Sequence, residues 1–199
     1  MAGISPAYLW SDLRLGEKPR PPVPPEPPIP AEVVWIGSPN YTPGHAGMSV
    51  IAVVVHTMAG TLAGSDSWFN NPAAQVSSQY GIGLSGQQHQ YVALGDTAWA
   101  NGVLEPGNTW PGLPYSVNAQ TISIETEDNG KGSTPVTEAQ FQATLAVARL
   151  ALGKYASITW LLGHHCISPH SRPQCCGDRW RSSGQFDRLA AELGLQPRY

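Results

Sequence analysis

The stretch SVIAVVVHTMAG, residues 49 to 60, decides the architecture. Val53, Val54 and Val55 are β-branched, so they suit a pleated surface and lose side-chain freedom in a helix. The apolar run is continuous rather than alternating, the mark of a strand covered on both faces. Such a strand belongs at the centre of a sheet. His56 stands at its carboxyl end, where a scaffold commonly presents site residues.

Working outward, EVVWIG (residues 32 to 37) predicts a short strand, closed by the turn signals SPN and TPG. SDSWFNNP predicts a short helix begun by Ser65 and stopped by Pro72. SSQYGIGLSGQQHQYVAL reads as a hairpin around LSGQ, and QTISIETED, with Ile122 and Ile124 alternating, as a strand ending in acidic residues. Thr137 to Gln140 forms a capping box that opens a helix. Phe141, Leu145, Ala148 and Leu152 give that helix one apolar stripe, and Gly153 is placed to end it. SITWLLGHH predicts a further strand. SSGQFDRLAAELGL predicts a last helix, with Phe186, Leu189 and Leu193 turned inward and Gly194 as its stop. Strands interleaved with helices make an α/β fold, a single domain over residues 31–199.

Ahead of that domain, eight of the twelve residues 19–30 are proline. The stretch reads as a semi-rigid polyproline tether, carrying a tail over residues 1–18 too short to be a domain. Charged residues make up 13% of the 199, and the net charge is -3. No basic stripe is present, so no nucleic-acid partner is expected. No apolar run is long enough to insert in a membrane. The first residues lack a basic and then apolar leader, so synthesis in the cytoplasm is expected.

The segment GHHCISPHSRPQCCGDRW, residues 163 to 180, holds three histidines and all three cysteines. An odd number of cysteines rules out a fully paired framework within one chain. One bridge from Cys166 to Cys175 or Cys176, plain thiols, or a structural metal staple all remain open on spacing alone. His56 and His164 each end an apolar strand, and Cys175 follows in a loop able to fold back over them. Two imidazoles and one thiolate leave a fourth tetrahedral position open, the pattern of a catalytic zinc.

Five segments, taken in order, narrow this. WIGSPNYTPG, VVVHTMAG, SDSWFNNPAAQVSSQYGIGLSGQQHQYVALGDTAWANG, TISIETED and GHHCISPHSR with CCGDRW resemble the zinc-dependent N-acetylmuramoyl-L-alanine amidases. This is the amidase-2 family, which includes phage endolysins and is related to peptidoglycan recognition proteins. The resemblance spans about residues 32 to 182. It implies a central mixed sheet flanked by helices, with a Zn2+-bearing groove that holds a muropeptide.

Carried over residue by residue, the resemblance makes His56 and His164 zinc ligands. CCGD resembles the family's CPGD with Cys176 in place of proline, which makes Cys175 the third ligand, ahead of Cys176 and Asp178. His165 becomes a supporting or core residue. Glu125 matches the catalytic glutamate. Glu127 shares its strand face by alternation and competes for the role. Arg172, three residues before Cys175, stands where the family commonly has a lysine, and would steady the oxyanion with a planar fork. Ser78 occupies a position where some relatives carry tyrosine, and Tyr80 is expected in the core. Trp99 and Asn101 match a substrate groove segment in which Ala100 replaces a common histidine. Trp110 is either a sugar-stacking face or a pin for its loop. His45, His89 and His170 read as ordinary loop histidines.

The implied reaction is cleavage of the amide between muramic acid and L-alanine in peptidoglycan, by a monomer that reaches the wall after holin-type release. A non-catalytic recognition module of the same fold is the competing reading. Such modules typically lack the cysteine ligand, so Cys175 and Glu125 weigh against it.

Overall fold

The computed structural model describes residues 32–199; the tail and the proline-rich stretch lie outside the described residues. Its strands are β1 (Val33–Trp35), β2 (Tyr41–Thr42), β3 (Ala52–Thr57), β4 (Tyr80–Ile82), β5 (Gln88–Gln90), β6 (Thr97–Ala98), β7 (Thr121–Thr126), β8 (Trp160–Gly163) and β9 (Gln196–Arg198). Its helices are α1 (Leu62–Phe69), α2 (Glu138–Lys154), α3 (Asp178–Arg181) and α4 (Gln185–Leu193). Seven strands form one sheet in the order β1-β5-β4-β7-β3-β8-β9. Neighbours are parallel except for the β4–β5 hairpin, so the sheet is mixed as expected. β2 and β6 make a separate two-stranded ribbon.

The valine run is β3, with β7 on one side and β8 on the other. Val53, Val54 and Val55 are all fully buried, each contributing about 1.5–3 kcal/mol of transfer free energy. Their burial is divided between two faces. Val53 and Val55 join Ile122, Ile124 and Leu161 beneath α2 and α4, which supply Phe141, Val147, Phe186 and Leu189. Ala52 and Val54 join Leu162, Ile167 and Val117 on the other face. Parallel strands need cover on both sides, and this division supplies it.

Two helix boundaries differ from the sequence expectation. Helix α1 begins at Thr61, whose hydroxyl accepts from Gly64 N at 3.1 Å, and not at Ser65. Both residue types cap well, and the earlier start buries Leu62 at the first turn. Helix α2 passes through Gly153 to Lys154. Gly153 keeps a negative φ and continues the helix, unlike Gly194, whose φ is positive.

The capping box is half formed. Thr137 Oγ1 accepts from Gln140 N at 3.0 Å. The Gln140 side chain, however, donates to the carbonyls of Ile82 and Glu127, and its oxygen accepts from Arg179. Buried polar groups must find partners, and Gln140 serves to join α2, β4, the residue just after β7, and α3. Gly194, with φ of 68°, ends α4 as expected.

Candidate metal centre

Register brings the site together. β3 and β7 pair with His56 opposite Glu125, while β3 and β8 pair with Val55 opposite Gly163. His164, next after Gly163, therefore arrives level with His56. Alternation puts Ser123 and Glu125 on the same face as Val54 and His56. The site thus grows at the carboxyl ends of adjacent parallel strands, where open α/β sheets bind ligands.

The rings of His56 and His164 lie 4.4 Å apart between centroids, and both are buried. One ligand atom each from His56, His164 and Cys175 falls within a 4.8 Å set. Burial, reinforced by His164, keeps His56 well below the usual imidazole range. Burial likewise lowers His164 to about 4. Both rings are therefore in the neutral form that binds metals. Burial, and then Glu125, push the Cys175 thiol well above its ordinary value. A divalent cation reverses that preference, because a coordinating thiol is deprotonated outright. Thr57 N donates to Cys175 Sγ at 3.4 Å, which also favours the thiolate. The donor set of two imidazoles and one thiolate suits Zn2+ with an open fourth position.

Glu125 stands beside the set. Its Oε1 is 3.7 Å from His56 Nδ1, and its Oε2 is buried without a hydrogen-bond partner. Burial, and next the charge of Asp128, raise this carboxyl to about 8. Asp128 itself is spent on structure, accepting from Gly60 N, Gly130 N and Thr57 Oγ1. Glu127 turns elsewhere: strand β7 stops at Thr126, and Glu127 Oε2 accepts from Leu84 N at 3.0 Å. The strand alternation that paired it with Glu125 ends one residue too early.

The loop after His164 is braced from several sides. His165 N and Nδ1 both bond the Cys175 carbonyl, at 2.8 and 2.6 Å. Glu105 Oε2 accepts from His170 N and Ser171 N at 2.7 and 3.0 Å. Cys175 faces the imidazoles, whereas Cys176 is fully buried in the core with Trp180. All three cysteines are free thiols, so the bridge left open by the sequence is not made. Thr126 Oγ1 donates to the His56 carbonyl at 2.6 Å and accepts from the Trp180 indole at 3.0 Å, tying the strand ends to α3.

A groove of about 730 Å³ opens over the cluster. Trp68, Phe69, Val76 and Trp99 line it, as do Met58, Asp128, Ser133, Gln174 and Asp178. Arg172 lines it too, and among the described residues it is the only lysine or arginine to do so. Trp99 donates its indole N–H to Thr42 Oγ1 at 2.9 Å. Trp68, half exposed on α1, is a groove residue the sequence reading missed. Its signal was weak, since an aromatic on a short helix reads equally as core.

Two expected groove residues lie elsewhere. Asn101 is completely buried, with its side chain bonded to His56, Thr121 and Ser123. Trp110 packs with Ile51 and Val54 on the site's face of the sheet but further back along β3, and its indole donates to Leu113 O at 2.8 Å. It pins its loop and does not line the groove. Tyr80 is in the core as expected, and Ser78 is buried with its hydroxyl on backbone carbonyls. His45 and His89 are better tied than ordinary loop residues. The His45 ring spans Ala119 O and Leu94 O, and His89 shares Asp66 with Tyr91.

With this geometry in place, similarity to known proteins has a structural meaning. A sequence profile of the family described as N-acetylmuramoyl-L-alanine amidase matches residues 46–178, which include all three cluster residues and Glu125. N-acetylmuramoyl-L-alanine amidase A of Achromobacter lyticus is 46% identical over 71 residues, which span 34% of this chain and 39% of that protein. The crystal structure of a selenomethionine AmpD derivative superposes with a TM-score of 0.65 at 25% identity, covering 80% of this chain and 94% of that one. N-acetylmuramoyl-L-alanine amidase LysC from Clostridium intestinale superposes with a TM-score of 0.57 at 18% identity, covering 83% and 99%, a likeness of fold. The chain belongs to the N-acetylmuramoyl-L-alanine amidase family.

Proposed function

We propose that the chain hydrolyses the amide between N-acetylmuramic acid and L-alanine in peptidoglycan, using zinc held by His56, His164 and Cys175. The observation that carries this is one arrangement: a two-histidine, one-cysteine cluster, open to a groove and flanked by a carboxyl with one oxygen unpartnered. Zinc in that cluster supplies Lewis acidity, polarising the scissile carbonyl and acidifying water near neutrality.

The side chains then divide the remaining work. Glu125 takes a proton from water at its free carboxylate oxygen and returns it to the leaving L-alanine amine. Its raised range suits a group that must both accept and give a proton near neutral pH. Arg172 offers its guanidinium to the oxyanion that forms at the carbonyl, a role supported by its place as the groove's cation. Trp68 and Trp99 give flat apolar faces on which a sugar ring can lie. The enzyme acts on the cell wall, reached through a holin-type lesion. Support for wall lysis comes from the likeness of fold to an endolysin amidase of Clostridium intestinale, at 18% identity.

Glu125→Gln tests the division of labour. It is expected to retain zinc and lose turnover about 10²–10⁴-fold, as removal of a general base does. Metal analysis and release of amine from peptidoglycan, run on the same sample, read both quantities. Retention of full activity by this variant removes Glu125 from the mechanism.

A further inference from the structure

Asn101 lies beneath both imidazoles and addresses each of them. Its side-chain Oδ1 is 3.0 Å from His56 Nε2, and its backbone carbonyl oxygen is 3.2 Å from His164 Nε2. Neither oxygen can donate, so in both rings Nε2 must carry the hydrogen. The amide orientation is settled independently. Thr121 Oγ1 spends its one proton on the carbonyl of Val117 or Asn118, at 3.1 and 3.2 Å. Towards Asn101 it can only accept, and the contact is 2.8 Å. The amide nitrogen therefore faces Thr121, with Ser123 Oγ at 3.2 Å, and the oxygen faces His56. The Asn101 main chain is held as well, its N–H donating to Asn118 Oδ1 at 2.8 Å.

A neutral imidazole with hydrogen on Nε2 keeps its lone pair on Nδ1. For His56 that atom lies on the Glu125 side, 3.7 Å from Oε1. We infer that Asn101 is a positioning residue that locks both histidines in the Nε2–H form and so directs zinc to Nδ1 of each ring. It is fully buried and does not line the groove, so it acts through the two rings. Partners of this kind orient metal-binding histidines, and their loss typically costs 10–100-fold in affinity. The sequence offered only AWANG as a groove segment, with no sign that its asparagine turns inward. The inference rests on the proposed zinc site.

Nitrogen NMR of the full chain, labelled with ¹⁵N-histidine and free of metal, reads the tautomers directly. His56 and His164 are both expected as Nε2–H; an Nδ1–H ring at either position overturns the inference. Chelator competition for zinc gives the second readout. Asn101→Ala removes the contact to His56 alone, because His164 is held by main chain. It is expected to bind zinc about 10–100-fold more weakly, with the His164 tautomer unchanged. Unchanged zinc affinity in a folded Asn101→Ala chain overturns the inference, and if that variant fails to fold, the wild-type spectrum decides. Tight zinc binding by wild type with both tautomers as stated, but no amide cleavage, defeats the proposed activity and leaves Asn101 in its role. Failure of wild type to bind zinc removes both.

Discussion

Cys175 and Cys176 are adjacent in sequence and opposite in environment, and their difference is the sharpest test at the residue scale. Cys175 faces two imidazoles, whereas Cys176 is enclosed by the core. Cys175→Ser is expected to weaken zinc binding by more than the roughly 100-fold that loss of an outer partner costs, with the fold kept. Cys176→Ser is expected to keep zinc and lose about 1–3 kcal/mol, the cost of a buried hydroxyl without a partner. Metal content and urea denaturation of the two variants separate these outcomes, and equal zinc loss in both contradicts the assignment. The sequence favoured Cys175 through its likeness to CPGD, but could not see that its neighbour turns into the core. Burial of that kind depends on Trp180 and α4, which arrive from further along the chain. Glu125 and Glu127 show the same limit. Alternation gave them one face, and only the end of β7 at Thr126 parts them.

Elements were legible where the pattern was long or chemically marked. The valine run, the Thr137 cap and the Gly194 stop each carry their own physical cause, and each stands where expected. The start of α1 was not legible, because Thr61 and Ser65 are equally good caps and the choice rests on burial of Leu62. One surface contact between elements gives a pH-dependent prediction. Arg188 of α4 forms a two-pronged pair with Glu138 at the start of α2, at 2.7 and 2.8 Å. Its hydrogen bonds, together with one from Gln142, hold the Glu138 carboxyl down to about 2. A depressed carboxyl stabilises the fold above its unfolded value, about 4.3, and that contribution fades as pH falls towards 2. The pair is largely exposed, so its worth is at most about 1 kcal/mol. Arg188→Ala is expected to lower the melting temperature at pH 7 and to have a much smaller effect near pH 2. Equal effects at both pH values show that Arg188 acts through its guanidinium, stacked 3.9 Å over the Phe141 ring, instead.

At the scale of the whole molecule, parallel pairing does what sequence spacing cannot. Residues 56, 125 and 164 are far apart along the chain, yet β7, β3 and β8 are neighbours in one sheet and end together. No spacing rule reports this; the strand order does. Behind the strand ends the reverse holds, since the loop carrying Trp110 braces the same face around Ile51 and Val54 and leaves the groove to α1 and the loop ahead of α3. Fold and site together make one claim, that zinc held at the ends of these central strands supports amide cleavage. Release of new N-terminal L-alanine from purified peptidoglycan, measured with a chelator and again after zinc is restored, tests it most directly. Cleavage that stops with the chelator and returns with zinc is the expected result. Zinc-loaded protein that binds peptidoglycan yet frees no amine would contradict the claim and mark the chain as a recognition module.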